Sequence, residues 1–192
     1  MLKQLRPALV MLATLTLLTG VIYPALVTAI AQLAFPHQAN GSIVRTGDKA
    51  VGSELIGQSF SKPEYFWGRL SATTPIPCNA ASSSGSNFGP LNPALAKTAE
   101  SRIALLRKYS SPKSAVPVDL VTASASGLDP HISLAAAEYQ VTRVAAARRM
   151  SEEAVRDLVR QYTEGREFGL LGEPRVNVLQ LNLALDRLRT AK

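Results

Sequence analysis

The chain reads as an α+β protein, one N-terminal transmembrane helix followed by a single mixed strand and helix domain outside the membrane, and three observations predict this. Pro7 to Phe35 contains no charged residue, is rich in Leu, Val, Ala and Ile, and begins just after Lys3 and Arg6. Beyond it, strand-like stretches come first, and stretches with helical spacing then surround one more strand, which is not a βαβ repeat. Residues 37–192 are enough for one ordinary domain with a core of its own, and no internal repeat is apparent.

A helix over Ala8 to Ala31 is about 36 Å long at 1.5 Å per residue and crosses the ~30 Å hydrocarbon layer with some tilt. Residues 1–7 are then a cytoplasmic tail, 8–31 the span and 37–192 the extracytoplasmic domain. Thr14, Thr16, Thr19 and Thr28 can bond back to the helix's own carbonyls. Gly20 and Pro24 leave a thin, kinked middle where a neighbouring helix can approach, and Tyr23 beside them calls for a protein partner rather than lipid. Lys3 and Arg6 keep the N-terminus in the cytoplasm by the positive-inside rule, which places the domain in the periplasm of an inner-membrane, single-pass protein. The alternative is an exported soluble binding or hydrolytic protein with a cleaved signal, because Ala29-Ile30-Ala31 has the small-x-small pattern of a cleavage site. The apolar run is longer than a signal core, which favours a retained anchor.

The net charge of +7 includes Lys3 and Arg6, so the exported part is only mildly basic, and without a basic and aromatic face nucleic acid is not a partner. The single cysteine, Cys78, excludes an internal disulfide and a Cys-based zinc cluster, and with only His37 and His131 no metal site is expected.

Asn40-Gly41 marks a turn, Ser42 to Arg45 a short strand, and Thr46-Gly47-Asp48-Lys49 a second turn. Ser53 to Phe60 and Tyr65 to Leu70 read as strands, the latter with the only Trp, whose aromatics suit a core. Thr73 to Asn92 is rich in Pro, Gly, Ser and Asn and reads as a long loop, either a flexible excursion or a functional one. Asn92-Pro93 starts a helix to about Tyr109, with Leu95, Ala99, Ile103 and Leu106 on one face, and Ser110 to Ala115 ends it. Val116 to Thr122 reads as a strand with Pro117 near its start. Ser124 to His131 is a turn into a helix from about Ser133 to Arg149, with Leu134, Ala137, Val141, Val144 and Arg148 as the inner stripe. Ser151 caps a helix to about Tyr162, with Glu152 and Glu153 favourable in its first turn and Ala154, Val155, Leu158 and Val159 buried. Thr163 to Pro174 is a loop, Val176 to Val178 a strand, and Leu179 to Thr190 a last helix with Leu181, Leu185 and Leu188 on one side.

The chemistry is mostly absent. No phosphate-binding loop, dinucleotide fingerprint, zincin motif or nucleophile elbow occurs. Asp129 and His131 can be an acid–base pair, but Asp-Pro ahead of a helix is more simply a cap. Asp119 and Glu138 have no visible partner.

Seven blocks, in order, carry a resemblance: Gln38 to Ser42 (QANGS), Gly52 to Phe60 (GSELIGQSF), Tyr65 to Ala72 (YFWGRLSA), Ser84 to Pro93 (SGSNFGPLNP), Val116 to Ser133 (VPVDLVTASASGLDPHIS), Tyr139 to Ala145 (YQVTRVA) and Val176 to Asp186 (VNVLQLNLALD). With the single N-terminal span, they resemble the C subunits of the Kdp potassium-transporting P-type ATPase over nearly the whole chain. Leu70 stands where the family usually has Pro, and Ser83-Ser84 replace part of a Gly-Gly pair. The resemblance implies a non-catalytic subunit that stabilises the complex and acts as a catalytic chaperone, raising the ATP affinity of the ATP-hydrolysing subunit. It implies no tightly bound cofactor, ATP being held through that subunit. Its partners would be the ATP-hydrolysing subunit, a channel-like potassium-translocating subunit, a small membrane peptide and the lipid bilayer. It assigns a glutamine to nucleotide contact, which maps to Gln140; a helix glutamine bonding a neighbour is the competing reading. Gly20, Tyr23 and Pro24 in the span, with Asn87, Phe88 and Asn92 at the end of the long loop, are the candidate partner contacts.

Overall fold

A computed structural model describes residues 2–109 and 115–190, and the chain divides into two compact units at Val51/Gly52. In the first unit, α1 (Leu2–Leu17), a π turn (Leu18–Ile22) and α2 (Tyr23–Ala34) form a continuous apolar helix, Lys3–Ala34, of 32 residues, none of them buried. The π turn has a local cause. Pro24 has no N–H, and its ring crowds the carbonyl four residues back. The chain accommodates this with one wider turn, in which the Tyr23 N–H bonds to the Leu18 carbonyl. The Thr19 hydroxyl donates to the Leu15 carbonyl at 2.7 Å, as expected for a hydroxyl in an apolar helix. A single-turn helix α3 (Pro36–Ala39) follows, then β1 (Ile43–Thr46), which pairs with β2 (Lys49–Ser53) through the foreseen turn at Gly47-Asp48.

The second unit contains α4 (Pro93–Arg107), a 3₁₀ turn (Val118–Leu120), β3 (His131–Ser133), α5 (Leu134–Arg148), α6 (Glu152–Gln161), β4 (Thr163–Glu164), β5 (Arg175–Asn177) and α7 (Val178–Thr190). The three helices α4, α5 and α6 start where side chains can cap them. Asn92, Ser133 and Ser151 accept hydrogen bonds from the N–H groups of Ala94, Ala136 and Ala154. Helix α5 ends with Arg149 in the left-handed conformation and a Met150 N–H to Ala145 carbonyl bond, the return bond of a Schellman-type end. The sheet order is β3-β5-β4, all antiparallel, with Ile132 opposite Val176 and Thr163 opposite Val176 on the other side. The core joins Phe66 and Trp67 to Ala137, Val141 and Val144 of α5, Val155 and Val159 of α6, and Leu181 and Leu185 of α7.

Several expectations need correction. Ser53 to Phe60 is not a strand beyond Ser53, the last residue of β2: residues 54–56 turn, with the Ile56 N–H on the Ser53 carbonyl, and 57–60 are irregular. Tyr65 to Leu70 is not a strand either; among these residues Leu70 alone makes an isolated bridge, to Ala123. Val116 to Thr122 is not a strand either: Pro117 leads into the 3₁₀ turn, closed by the Leu120 N–H on the Pro117 carbonyl. Residues 163–174 are not all loop, since Thr163 and Glu164 pair with β5. Leu134 and Leu188 are exposed at helix ends instead of lying inside. Asp119 does have a partner, the Ser133 N–H at 2.8 Å, and Glu138 pairs with Arg156 at 3.3 Å. Of the expected break after α4, residues 110–114 lie outside the described residues.

Residues 63–68 enter the core from a turn at 63–64 without a strand neighbour, and side chains pair most of their backbone polar groups. The Asn182 carboxamide accepts from the Phe66 N–H (2.8 Å) and donates to the Phe66 carbonyl (3.0 Å). Gln140 does the same for Trp67, at 2.8 and 3.1 Å. Each amide thus imitates the neighbouring strand that this segment lacks. Arg143 donates to the Pro63 and Tyr65 carbonyls, Arg148 to that of Glu64 and Arg102 to that of Gly68.

Removing one amide would orphan a buried N–H and a buried C=O, at about 1–3 kcal/mol each. Asn182→Ala should therefore lower stability by roughly 2–5 kcal/mol, and the thermal midpoint by about 2–4 °C per kcal/mol in a domain of this size. Leu55→Ala, at an exposed position, should leave the midpoint almost unchanged. Melting curves of the detergent-solubilised chain measure both, and an Asn182→Ala midpoint within a degree of the parent would refute the clamp.

Candidate functional site

Gln140 lies at the centre of the domain with no exposed surface. Its amide nitrogen donates to the Trp67 and Ala136 carbonyls, and its oxygen accepts from the Trp67 N–H and from Arg143 at 2.6 Å. A nucleotide could reach it only if Trp67 were withdrawn. The bonds are those of a helix glutamine holding a neighbouring segment.

Two guanidiniums lie against the Trp67 ring, Arg143 at 3.9 Å and Arg102 at 5.2 Å from its centroid. Its indole N–H donates to the Lys62 carbonyl. Burial pushes the Arg143 guanidinium down to about 10, with the nearby positive charge of Arg102 adding to the effect, and burial also lowers Arg102. Carbonyl dipoles and a π face hold these cations. On the next turn Arg148 donates to the Leu185 carbonyl and pairs with Asp186 at 2.8 Å, over the Tyr65 ring. The Tyr65 hydroxyl donates to the other Asp186 oxygen, and burial, followed by that bond, raises its pKa.

Asp129 acts as a fastener. It accepts the His131 N–H at 2.9 Å and pairs with Arg69 at 3.1 Å, while Arg69 also donates to the Ala123 carbonyl. Burial acts to raise the Asp129 pKa, but the hydrogen bonds from His131 and Arg69 outweigh it and leave the carboxyl below its ordinary range. The His131 ring stands 3.4 Å from Asp129 and 3.7 Å from Glu164. The Asp129–His131 turn is therefore a loop closure of the cap type. Among the described residues no group of three or more His, Cys, Asp or Glu side chains is placed to hold a metal ion.

The loop from Thr73 to Asn92 has no regular structure, yet it is tied down. The Ser71 hydroxyl donates to the Gly127 carbonyl and accepts the Cys78 N–H, and the Ser84 N–H donates to the Ser126 carbonyl. Gly127, at φ +70, sits so close that a Cβ there would lie 2.6 Å from the Ser84 carbonyl. Cys78 is half-buried, and burial raises its thiol pKa against the Ser71 hydrogen bond. Beyond this anchored part Asn87, at φ +51, Phe88 and Leu91 are exposed, just ahead of the Asn92 cap. In the span, Tyr23 is exposed and a side chain at Gly20 would meet nothing within 4 Å. The structure thus brings Gly20, Tyr23 and Pro24 together at the π turn, and Asn87, Phe88 and Asn92 together at the loop's end, while Gln140 stands apart in the core. Sequence reasoning missed Asn182, Arg102 and Arg143. The available signal was an Asn between Leu181 and Leu183, and a Gln and an Arg three residues apart on an otherwise Ala- and Val-rich helix.

Residues 5–187 match the family model KdpC, described as "K+-transporting ATPase, c chain". The chain is 62% identical over 186 residues to the potassium-transporting ATPase KdpC subunit of Herpetosiphon aurantiacus, covering 96% of both chains. It is 62% identical over 190 residues to that of Methylococcus capsulatus (98% of this chain, 100% of the relative), and 59% identical over 187 residues to that of Burkholderia mallei, 97% of each. With one long apolar helix ahead of a mixed helix and strand domain, and a match across nearly its whole length, the chain belongs to the KdpC family, the c chain of the K+-transporting ATPase.

Proposed function

We propose that the chain is a non-catalytic subunit which stabilises the potassium-transporting complex and raises the ATP affinity of the hydrolysing subunit through its span, without touching nucleotide. The burial of Gln140 carries this reading: its amide is committed to Trp67 and offers no surface to a ligand. A tenfold change in affinity needs only about 1.4 kcal/mol of coupling. A helix that packs differently in two states of its neighbours can supply that, and the π turn beside Gly20, Tyr23 and Pro24 is where this helix is most sensitive to packing. The partners on this reading are the potassium-translocating subunit, the ATP-hydrolysing subunit and the small membrane peptide. Lys3 and Arg6 favour an N-terminus in the cytoplasm and a domain in the periplasm of an inner-membrane protein.

Gly20→Leu adds a side chain where the chain itself has open space, so any effect must come from neighbouring helices. In the purified complex, Gly20→Leu or Tyr23→Leu should change the ATP concentration for half-maximal hydrolysis several-fold, whereas Gln140→Ala should act mainly on stability. A weakened ATP response in Gln140→Ala at full stability, with both span variants at the parent value, would overturn the proposal.

Orientation is tested with Leu55→Cys in a Cys78→Ser background, since Leu55 is exposed and the native thiol is half-buried. A membrane-impermeant maleimide should label it in cells whose outer membrane alone has been opened. Labelling only after the inner membrane is broken would place the domain in the cytoplasm.

Asn87 and Phe88 are read as docking contacts to the potassium-translocating subunit, because an anchored loop presents them outward. Their joint replacement by Ala should cut co-purification of the subunits at an unchanged melting midpoint. Full assembly in that variant would make the loop a surface excursion only.

A further inference from the structure

The two guanidiniums on Trp67 are bonded to no carboxylate among the described residues. Arg143 donates to the Pro63 and Tyr65 carbonyls and to the Gln140 carboxamide oxygen, and Arg102 to the Leu120 and Gly68 carbonyls. Carbonyl dipoles and the indole face ease the burial of these cations without cancelling their charge, and the charge of Arg102 acts against that of Arg143. Arg102 also lines a cavity of about 130 Å³ in the second unit, together with Ser59, Arg69, Ser71 and Cys78. None of the described residues lining it is acidic. Three donors there are uncommitted. Arg102 uses Nε and Nη2 on its carbonyls and keeps Nη1. Arg69 spends Nη1 on Asp129 and Nη2 on the Ala123 carbonyl, and its buried Nε has no partner. The Ser59 hydroxyl, on an exposed residue, makes no hydrogen bond among the described residues. The Ser71 hydroxyl, by contrast, already donates to the Gly127 carbonyl.

We propose that this cavity binds one small oxyanion, of the size of inorganic phosphate or sulfate, held by Arg102, Arg69 and Ser59. Charge is the first reason: an anion beside Arg102 supplies the counter-charge that the protein leaves out, and Lys97, which lines an adjoining cavity with Arg102, adds to the attraction. Arg69 brings a donor and no net charge, because Asp129 neutralises it at 3.1 Å. Donor geometry is the second reason. Planar guanidiniums and a hydroxyl on three different segments suit an ion with several oxygens better than a single spherical one. Size is the third, since about 130 Å³ is below the roughly 300–1,000 Å³ of cavities that enclose larger ligands, and a nucleotide does not fit. An ion held there bridges α4 to Cys78 in the first part of the long loop, so its binding steadies that side of the domain.

Trp67 is the only tryptophan of the chain and lies against Arg102, so its emission reports on the site. The full chain in non-ionic detergent is titrated with inorganic phosphate, and separately with sulfate, at an ionic strength held constant with chloride, while emission and melting midpoint are followed. Either oxyanion should change the emission saturably and raise the midpoint. Ser59→Ala should weaken half-saturation several-fold at an unchanged midpoint in oxyanion-free buffer. Ser59→Asp places a carboxylate beside the cavity, leaves the Arg102 bonds to Leu120 and Gly68 in place, and should abolish the response; it keeps the test decisive where Arg102→Gln lowers stability. No saturable response in the parent chain overturns the proposal, as does a response that follows ionic strength alone, or parent half-saturation in Ser59→Asp. A response to ATP at or below the phosphate concentration overturns the single-ion reading in favour of a nucleotide.

Discussion

The second unit depends on pairing the backbone of residues 63–68 as they pass through the core. A buried segment without strand neighbours would leave its N–H and C=O groups dry and unpaired, and a buried orphan group costs as much as several good apolar contacts. The chain answers with long polar side chains reaching in from three helices: Arg102 from α4, Gln140, Arg143 and Arg148 from α5, and Asn182 from α7. Because they converge on one thread, those helices are fixed relative to one another by polar bonds as well as by packing. Arginine suits the role better than lysine, since one guanidinium nitrogen of Arg143 serves the Pro63 and Tyr65 carbonyls and the other reaches the Gln140 carboxamide oxygen, while its flat face lies on Trp67.

The same arrangement explains what was legible in the sequence. Helices are local, and their signals lie within a few residues. Asn92-Pro93, Ser133 and Ser151 mark starts that the structure bears out as caps, and the stripes Ala137-Val141-Val144 and Leu181-Leu185 are buried as the spacing requires. Strand pairing is non-local. Tyr65 to Leu70 has the aromatic and extended character of a strand, but nothing in it says whether its backbone partner is another strand or the carboxamide of Asn182, more than a hundred residues away. The true strands β3, β4 and β5 are two or three residues long, below what period-2 alternation can detect. The long loop was legible from composition, but its anchoring to residues 124–127 was not, because serine hydroxyls and a close glycine contact leave no periodic trace.

The candidate sites divide along the same line. Gln140 stood out in the sequence because it lies in one of the family-like blocks, and such a block can be retained for the core as readily as for a ligand. Here the core explains every polar atom of the side chain. The loop residues Asn87 and Phe88 and the span residues Gly20 and Tyr23 show the reverse pattern. They are exposed, and the domain or helix that carries them would keep its own contacts without them.

On the proposed reading, this division bears on how a subunit without chemistry of its own can influence ATP binding elsewhere. A contact through Gln140 would have to break two bonds to Trp67 and one to Arg143 and expose a fully buried tryptophan, a penalty well above the ~1.4 kcal/mol that a tenfold affinity change requires. The π turn asks for much less. Its Tyr23 to Leu18 bond differs from an α-helical one by a single residue of register, and Pro24 has already removed the N–H that would have held the preceding turn in α geometry. A neighbouring helix that packs better on one register than the other biases such a turn by its differential contacts, and that difference is the whole of the coupling free energy available. On that reading the element able to respond at small cost is the apolar helix with its π turn, and the clamp on Phe66 and Trp67 leaves Gln140 no part in the coupling.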